Sequence, residues 1–423
     1  MTAPSRPLAH PHRSWKLTLL VLVLFFLISL LTNIMGPLIP EAIRSFHLSL
    51  AAAGLLPFAF FLSYGLVSIP AGMLGDRTSA KGVLLGALAL QLAGALLLPS
   101  MPSYATALVS FFLIGIGSAS LQVVINPLLR VSGGEENYAF YSALAQFIFG
   151  AASFLAPQVY SHLVLNLAGG PPHDFWLAAL SRITPPDLPW VSVYWVFALL
   201  GAVVVAVTSA IRVPRIEPPP QERPGDLSSH RRLFGMPLVW LYFVSIFLYV
   251  GLEQGLANWI SQFLSTYHQF DPRTTGALAV SWFWGTMTLG CLLGMVLLKL
   301  FDSRRVLIGA ALAAMVSFTA AIAGPAPVSL IAFPAMGTFL SVMWPIIFSL
   351  GLNSLSHSHG SFAGILCTAI VGGAVLPALI GQVGDWAGLR SGMLLLYLSL
   401  GWILSVGFWA KPLINNATLG SSS

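Results

Sequence analysis

"IRVPRIEPPPQERPGDLSSHRR" (211–232) is the one long polar stretch inside an otherwise apolar chain of 423 residues. Proline and mixed charge dominate it, a composition that suits an extended linker and not a membrane-crossing helix. Six apolar runs precede it and six follow, each long enough to cross a bilayer, which takes about 20 apolar residues. They cover 16–39, 51–74, 81–100, 104–129, 139–166, 188–211, 237–264, 274–300, 305–323, 327–350, 360–383 and 391–411. The reading is an all-α polytopic membrane protein with twelve transmembrane helices in two pseudo-symmetric six-helix bundles. Its expected bounds are 1–15 for an N-terminal tail, 16–211 for the first bundle, 212–236 for the linker, 237–411 for the second bundle and 412–423 for a C-terminal tail.

Composition agrees with that reading. The chain is 57% hydrophobic and 8% charged, with a mean hydropathy of +0.86. A soluble protein carries about 25% charged residues, so a soluble domain is excluded. The net charge of +6 is no nucleic-acid signal, because the basic residues sit at helix ends. Cys291 and Cys367 lie in apolar runs and support neither a disulfide framework nor a metal site. Arg13 and Lys16 precede the first run, but the run is too long for a secretory leader and no small-residue cleavage site follows.

Orientation follows from the bias of Lys and Arg toward cytoplasmic loops. With the N-terminus inside, fifteen of the 19 basic residues fall on the cytoplasmic side and four, Arg44, Arg182, Arg273 and Arg390, fall outside. Both termini are therefore expected in the cytoplasm of a multi-pass cell-membrane protein. The halves echo each other: "KGVLLGALAL" (81–90) opens one helix of the first and "RRVLIGAALA" (304–313) the corresponding helix of the second. Paired six-helix repeats suit a carrier that works by alternating access, with its substrate site near the midplane between the halves. The long loop at 168–190 has room for a short surface helix.

Twelve of the 13 acids, Glu41 among them, fall in loops or at helix ends; Glu253 alone sits deep in a span, within "FLYVGLEQGLANWISQFL" (247–264). An ionised acid at a helix centre costs a few kcal/mol or more. Glu253 is thus expected to be protonated, neutralised by a cation or facing water. No Lys or Arg lies at comparable depth to clamp an anion, which leaves a neutral or cationic substrate. Uncharged amides gather at that depth: Asn33, Gln122, Asn126, Gln146, Gln254 and Asn258. Trp259, Trp282, Trp284 and Trp344 supply rings, of which Trp259, Trp282 and Trp344 are the expected stacking surfaces. Amides bond hydroxyls as donor and as acceptor, and an indole face suits the C–H face of a sugar. The bland alternative for each amide is interhelical hydrogen bonding, worth about 0.6 kcal/mol on average.

Specific motifs add a resemblance. "GMLGDRTSAK" (72–81) resembles the loop motif of the major facilitator superfamily. That implies a conformational latch at Asp76 and Arg77, with Lys81 as its following basic residue. Ser79 and Ala80 depart from the pattern. "LIPEAIRSF" (38–46), "SIPAGML" (68–74), "INPLL" (125–129), "LAQ" (144–146), "FLYVGLEQG" (247–255), "WPIIFSLGLNSL" (344–355) and "GSFAGILCTAIVGGAVLPALIG" (360–381) resemble the branch holding fucose–proton symporters and glucose/galactose transporters. The resemblance implies the major facilitator fold and sugar contacts at Asn33, Gln146 and Trp344. The two carboxylates linked to proton transport in fucose symporters fall on Gly36 and Gln122, neither of which can titrate. Glu253, similar to the glutamate of the hexose-carrying relatives, is left as the intramembrane group for coupling to H⁺ or Na⁺.

The expected function is a secondary transporter of a neutral monosaccharide, a hexose first, working as a monomer in a lipid bilayer without a resident cofactor or metal. Coupled transport and an uncoupled sugar uniporter both stay open. A multidrug exporter of lipophilic cations, drawn to Glu253 and the indoles, is the rival reading. A sensor built on the same scaffold ranks below it, and no nucleophile–base–acid set at membrane depth suggests an enzyme.

Overall fold

The protein is described here by a computed structural model covering residues 14–77, 79–133, 138–169, 174–213, 232–355 and 359–413. Its twelve spans are α1 (Trp15–Phe46), α2 (Leu50–Leu74), α3 (Ala80–Ser100), α4 (Tyr104–Gly133), α5 (Phe140–Ala168), α6 (Pro189–Ala210), α7 (Pro237–His268), α8 (Pro272–Leu300), α9 (Ser303–Ala323), α10 (Ala326–Leu352), α11 (Phe362–Ala387) and α12 (Leu389–Trp409). Helices satisfy their backbone hydrogen bonds internally, the condition for crossing hydrocarbon. The starts are set locally. Ser14 and Ser79 cap α1 and α3 by accepting from Leu17 N and Gly82 N. Pro237 and Pro272 open α7 and α8, where a missing N–H costs nothing. The loop after α5 carries the expected surface helix, Phe175–Ile183.

Twelve spans place the two ends of the described chain and the α6–α7 connection on one face of the membrane, called here the terminal face. Buried apolar side chains form two groups. One is built from α1–α6, and the other from α7–α12. Ala277 and Ala374 of the second half pack into the first group, while Ile39 and Ala53 of the first half pack into the second.

Three spans are interrupted near their middles. In α1, Trp15–Asn33 gives way to Met35–Phe46 at Ile34. In α10, Ala326–Leu340 and Met343–Leu352 are separated at Ser341–Val342. In α11 a 3-10 turn, Ala369–Val371, precedes Gly372–Ala387. Met343–Pro345 and Val371–Pro377 accompany the last two breaks. By contrast, α4 is continuous through Pro127.

The first span runs further than the sequence suggests, to Phe46 and not to 39. Glu41, expected at a helix end, lies inside that extension and is only 3% exposed. Arg273, from the start of α8, supplies the compensation. Its Nε and Nη2 donate to the two Glu41 oxygens at 2.9 Å each. Arg44 adds a longer contact of 3.4 Å.

That ion pair belongs to a seam joining the halves on the face opposite the termini. Asp385, at the end of α11, accepts from Leu50 N at 2.8 Å and Ala51 N at 3.0 Å, capping α2. Gly36 of α1 and Gly381 of α11 permit backbone approach. A Cβ on the first would stand 2.2 Å from Ala257 O, and on the second 2.3 Å from Leu50 O. Between α5 and α8, Gln158 Nε2 donates to Ser281 Oγ at 3.1 Å, and Ser281 donates to the Phe154 carbonyl.

Candidate functional site

Toward the terminal face, polar side chains become exposed within the membrane spans. Asn126 on α4 and Gln146 on α5 are exposed, and Gln122 is half-buried. Exposed amides inside a span are costly against lipid tails, so their exposure belongs to a water-filled cleft between the halves. The contacts joining the halves close the opposite face, and the exposed amides read as a cleft opening toward the terminal face. Asn126 Nδ2 also donates to the backbone carbonyl of Gln122, at 3.2 Å.

The other amides lie deeper and are buried: Asn33 and Gln254 are 4% exposed and Asn258 is 2% exposed. Asn33 Nδ2 donates to Ser153 Oγ of α5 at 2.8 Å and makes a longer contact with Ser29 Oγ at 3.5 Å. Its Oδ1 has no hydrogen-bond partner. Gln254 lies at the meeting of the halves. A Cβ on Gly373 of α11 would meet both Phe61 of α2 and the Gln254 stem. Asn258 Nδ2 donates to the backbone carbonyl of Gln254, one turn earlier on α7, at 2.8 Å. The amides thus divide into a buried set near the closed face and an exposed set facing the cleft.

Glu253 sits beside Gln254, half-buried. Gln254 Nε2 donates to its Oε1 at 3.3 Å, and the Tyr249 hydroxyl, one turn earlier on α7, is beside it. The same hydroxyl donates to Leu340 O at 3.2 Å, next to the α10 break. Through Tyr249 the carboxyl is therefore connected to the Leu340 carbonyl at the interrupted helix. Among the described residues Glu253 has no basic partner, and every Lys and Arg lies near a helix end.

The indoles separate by environment. Trp344 is half-buried, stacked on Phe348 with centroids 5.9 Å apart and tilted over Tyr249 at 5.9 Å, beside the carboxyl. Trp259 does not offer a face: it is fully buried, with its N–H on Pro377 O at 3.1 Å. It packs α7 against the bend in α11. Trp282 is 46% exposed, its ring edge-on to Phe154 of α5 at the seam. Lys81 caps α6 within its own half, donating to Ser209 O at 2.7 Å and Ile211 O at 2.9 Å. The side chains of Asp76 and Arg77, the expected latch, lie outside the described residues, as does most of the linker.

Reasoning from sequence passed over Tyr64 and Tyr249 and kept Trp284 out of the expected site. Tyr64 hydrogen-bonds Thr32 on α1, and Trp284 Nε1 is buried without a partner. Tyr249 stands four residues before Glu253, the helical spacing that would have drawn attention to it.

The family model described as Major Facilitator Superfamily matches residues 21–377. A glucose/galactose transporter of Brucella abortus is 30% identical over 400 residues, covering 91% of this chain and 92% of its own. The L-fucose-proton symporter of Escherichia coli is 27% identical over 384 residues, covering 86% of each. Among solved structures, an outward-conformation fucose:proton symporter of the superfamily superposes with a TM-score of 0.66 at 24% identity, covering 93% of this chain and 98% of that one. A bacterial homologue of the human lysosomal transporter Spinster, inward-facing and unoccupied, gives 0.75 at 17% identity, covering 95% and 97%. With twelve spans in two packed halves and a family match across most of its length, the chain belongs to the Major Facilitator Superfamily, a multi-pass secondary transporter and not an enzyme.

Proposed function

We propose that the protein carries a neutral monosaccharide, a hexose first, coupled to H⁺ or Na⁺ through Glu253. The observation that carries this reading is the chemistry between the halves. Glu253 has Gln254 and Tyr249 beside it and Trp344 over Tyr249, with no fixed positive charge at that depth among the described residues. Such a lining offers donors and acceptors to a polyol and no clamp to an anion. The glucose, galactose and fucose in the relatives' names agree with it.

In this reading Asn33, Gln122, Asn126, Gln146, Gln254 and Asn258 bond hydroxyls at successive depths, and Trp344 provides the stacking face. The basic-residue count puts the terminal face in the cytoplasm, which makes this an inward-facing state. Uptake of labelled D-glucose, D-galactose and L-fucose into proteoliposomes, with and without a pH or Na⁺ gradient, tests it. Gradient-driven accumulation of one of them is expected. Equilibration that no gradient changes would reduce the protein to a uniporter. Drug-stimulated proton release without sugar flux would replace the reading with export of lipophilic cations.

A further inference from the structure

Two polar atoms from opposite halves are buried without a hydrogen-bond partner: Asn33 Oδ1 on α1 and Trp284 Nε1 on α8, each in a residue 4% exposed. Helical spacing brings them to one junction. Val280, one turn before Trp284, packs on Gly36, three residues beyond Asn33. Thr288, one turn after Trp284, packs on Gly150 of α5. Ser153, which holds the Asn33 amide, is three residues further along that helix. The helices α1, α5 and α8 therefore meet around this donor and this acceptor.

Their chemistry is complementary. An indole nitrogen can only donate. The Asn33 orientation is set by its neighbours: Ser29 Oγ donates to Phe149 O at 2.5 Å and Ser153 Oγ to the same carbonyl at 3.0 Å. The two serine oxygens also lie 2.8 Å apart, so their protons go to that carbonyl or to each other; either way the serine oxygens accept from the Asn33 NH₂ and Oδ1 is left as an open acceptor. We infer that Trp284 and Asn33 together read one hydroxyl of the carried sugar, the indole donating to its oxygen and the amide oxygen accepting its proton. This inference rests on the sugar reading above.

A hydroxyl does both at once. A cationic ammonium cannot accept the indole proton, and a carboxylate cannot donate to the amide. Omitting the hydroxyl leaves two buried groups unpaired, the situation in which a site discriminates most sharply against an analogue. Because the two groups come from different halves, the hydroxyl also ties α1 to α8 at the seam. Trp284 becomes a specificity-determining residue.

The test uses the purified protein in proteoliposomes, with D-glucose, D-galactose, L-fucose and the monodeoxy derivatives of whichever is carried. Two changes remove the indole N–H: Trp284→Phe, and replacement of the indole by a benzothiophene isostere that keeps its shape if phenylalanine packs poorly. One deoxy position should lose about tenfold in affinity with the wild-type protein. The altered proteins should lose a smaller factor for the parent sugar, because Asn33 still accepts its proton. Against that deoxy sugar they should bind no more weakly than the wild-type protein does, while the parent sugar keeps a smaller advantage over it through its remaining bond to Asn33. Equal penalties at every deoxy position, or losses that simply add at all of them, would overturn the pairing while leaving sugar transport standing. Absence of any sugar flux in the wild type would overturn the transport reading, and the pairing with it.

Discussion

A carboxyl group half-buried in the middle of α7, with one amide donor and one tyrosine hydroxyl beside it, can take up or release a small cation without breaking an ion pair. Glu253→Gln keeps the shape and the amide contact but cannot exchange charge. We predict that it abolishes gradient-driven accumulation while sparing sugar exchange across the membrane. Concentrative uptake at the wild-type level would remove Glu253 from coupling. Across from Tyr249, on α10, Trp344 keeps part of its ring accessible while Phe348 supports it by stacking. Trp344→Ala should weaken sugar binding by about 1–3 kcal/mol, the range found for other aromatic platforms. Trp344→Phe should recover part of that loss. Titration calorimetry on the purified protein measures both, and equal affinity in all three proteins would place the stacking surface elsewhere.

Among the elements, α1 and α7 illustrate how small residues set the distance between the halves. A methyl at position 36 would meet the backbone carbonyl of Ala257, which no side-chain rotation can relieve. Gly36→Ala should therefore push α1 from α7 and depopulate the state closed at that face. Ala53, buried in the opposing group, reports it. With Cys291 and Cys367 replaced, maleimide labelling of Ala53→Cys should rise several-fold when Gly36→Ala is added. Unchanged labelling would show that this contact does not limit closure. The same span shows what sequence could and could not disclose. Apolar runs and a proline-rich linker made twelve helices legible, because hydrocarbon imposes length and composition on each segment separately. The end of α1 was not legible. Glu41 looks like a terminus until Arg273, more than two hundred residues later, is seen to neutralise it. Amides in apolar runs announced themselves as polar groups in the wrong solvent. Trp284, Tyr64 and Tyr249 did not, since aromatic residues are ordinary in membrane spans and only packing shows whose polar atom is paired.

For the whole molecule, closing one face while opening the other requires contacts strong enough to hold and few enough to release. The Glu41–Arg273 pair is the charged member of that set, and its partners differ in burial: Glu41 is 3% exposed and Arg273 31%. Removing one partner of a buried pair strands the other, at about 3–5 kcal/mol when the stranded charge is fully buried, and much less when water reaches it. The two single substitutions should therefore be unequal. Arg273→Gln strands a buried carboxylate with only the 3.4 Å contact to Arg44, and it should cost the closed face most. Glu41→Gln leaves a guanidinium that solvent already reaches, and it should cost less. The double substitution strands nothing and should fall below Arg273→Gln alone. A shift of about 5.5 kcal/mol would carry a two-state equilibrium from 1:99 to 99:1, so even half of it is measurable as a change in population. Single-molecule distances between labels placed across this face would read that change directly. If the two single substitutions shift the distance distribution equally, or the double exceeds both, the pair does not hold this face closed. Closure would then rest on the glycine-lined helix contacts and on Asp385 at the start of α2.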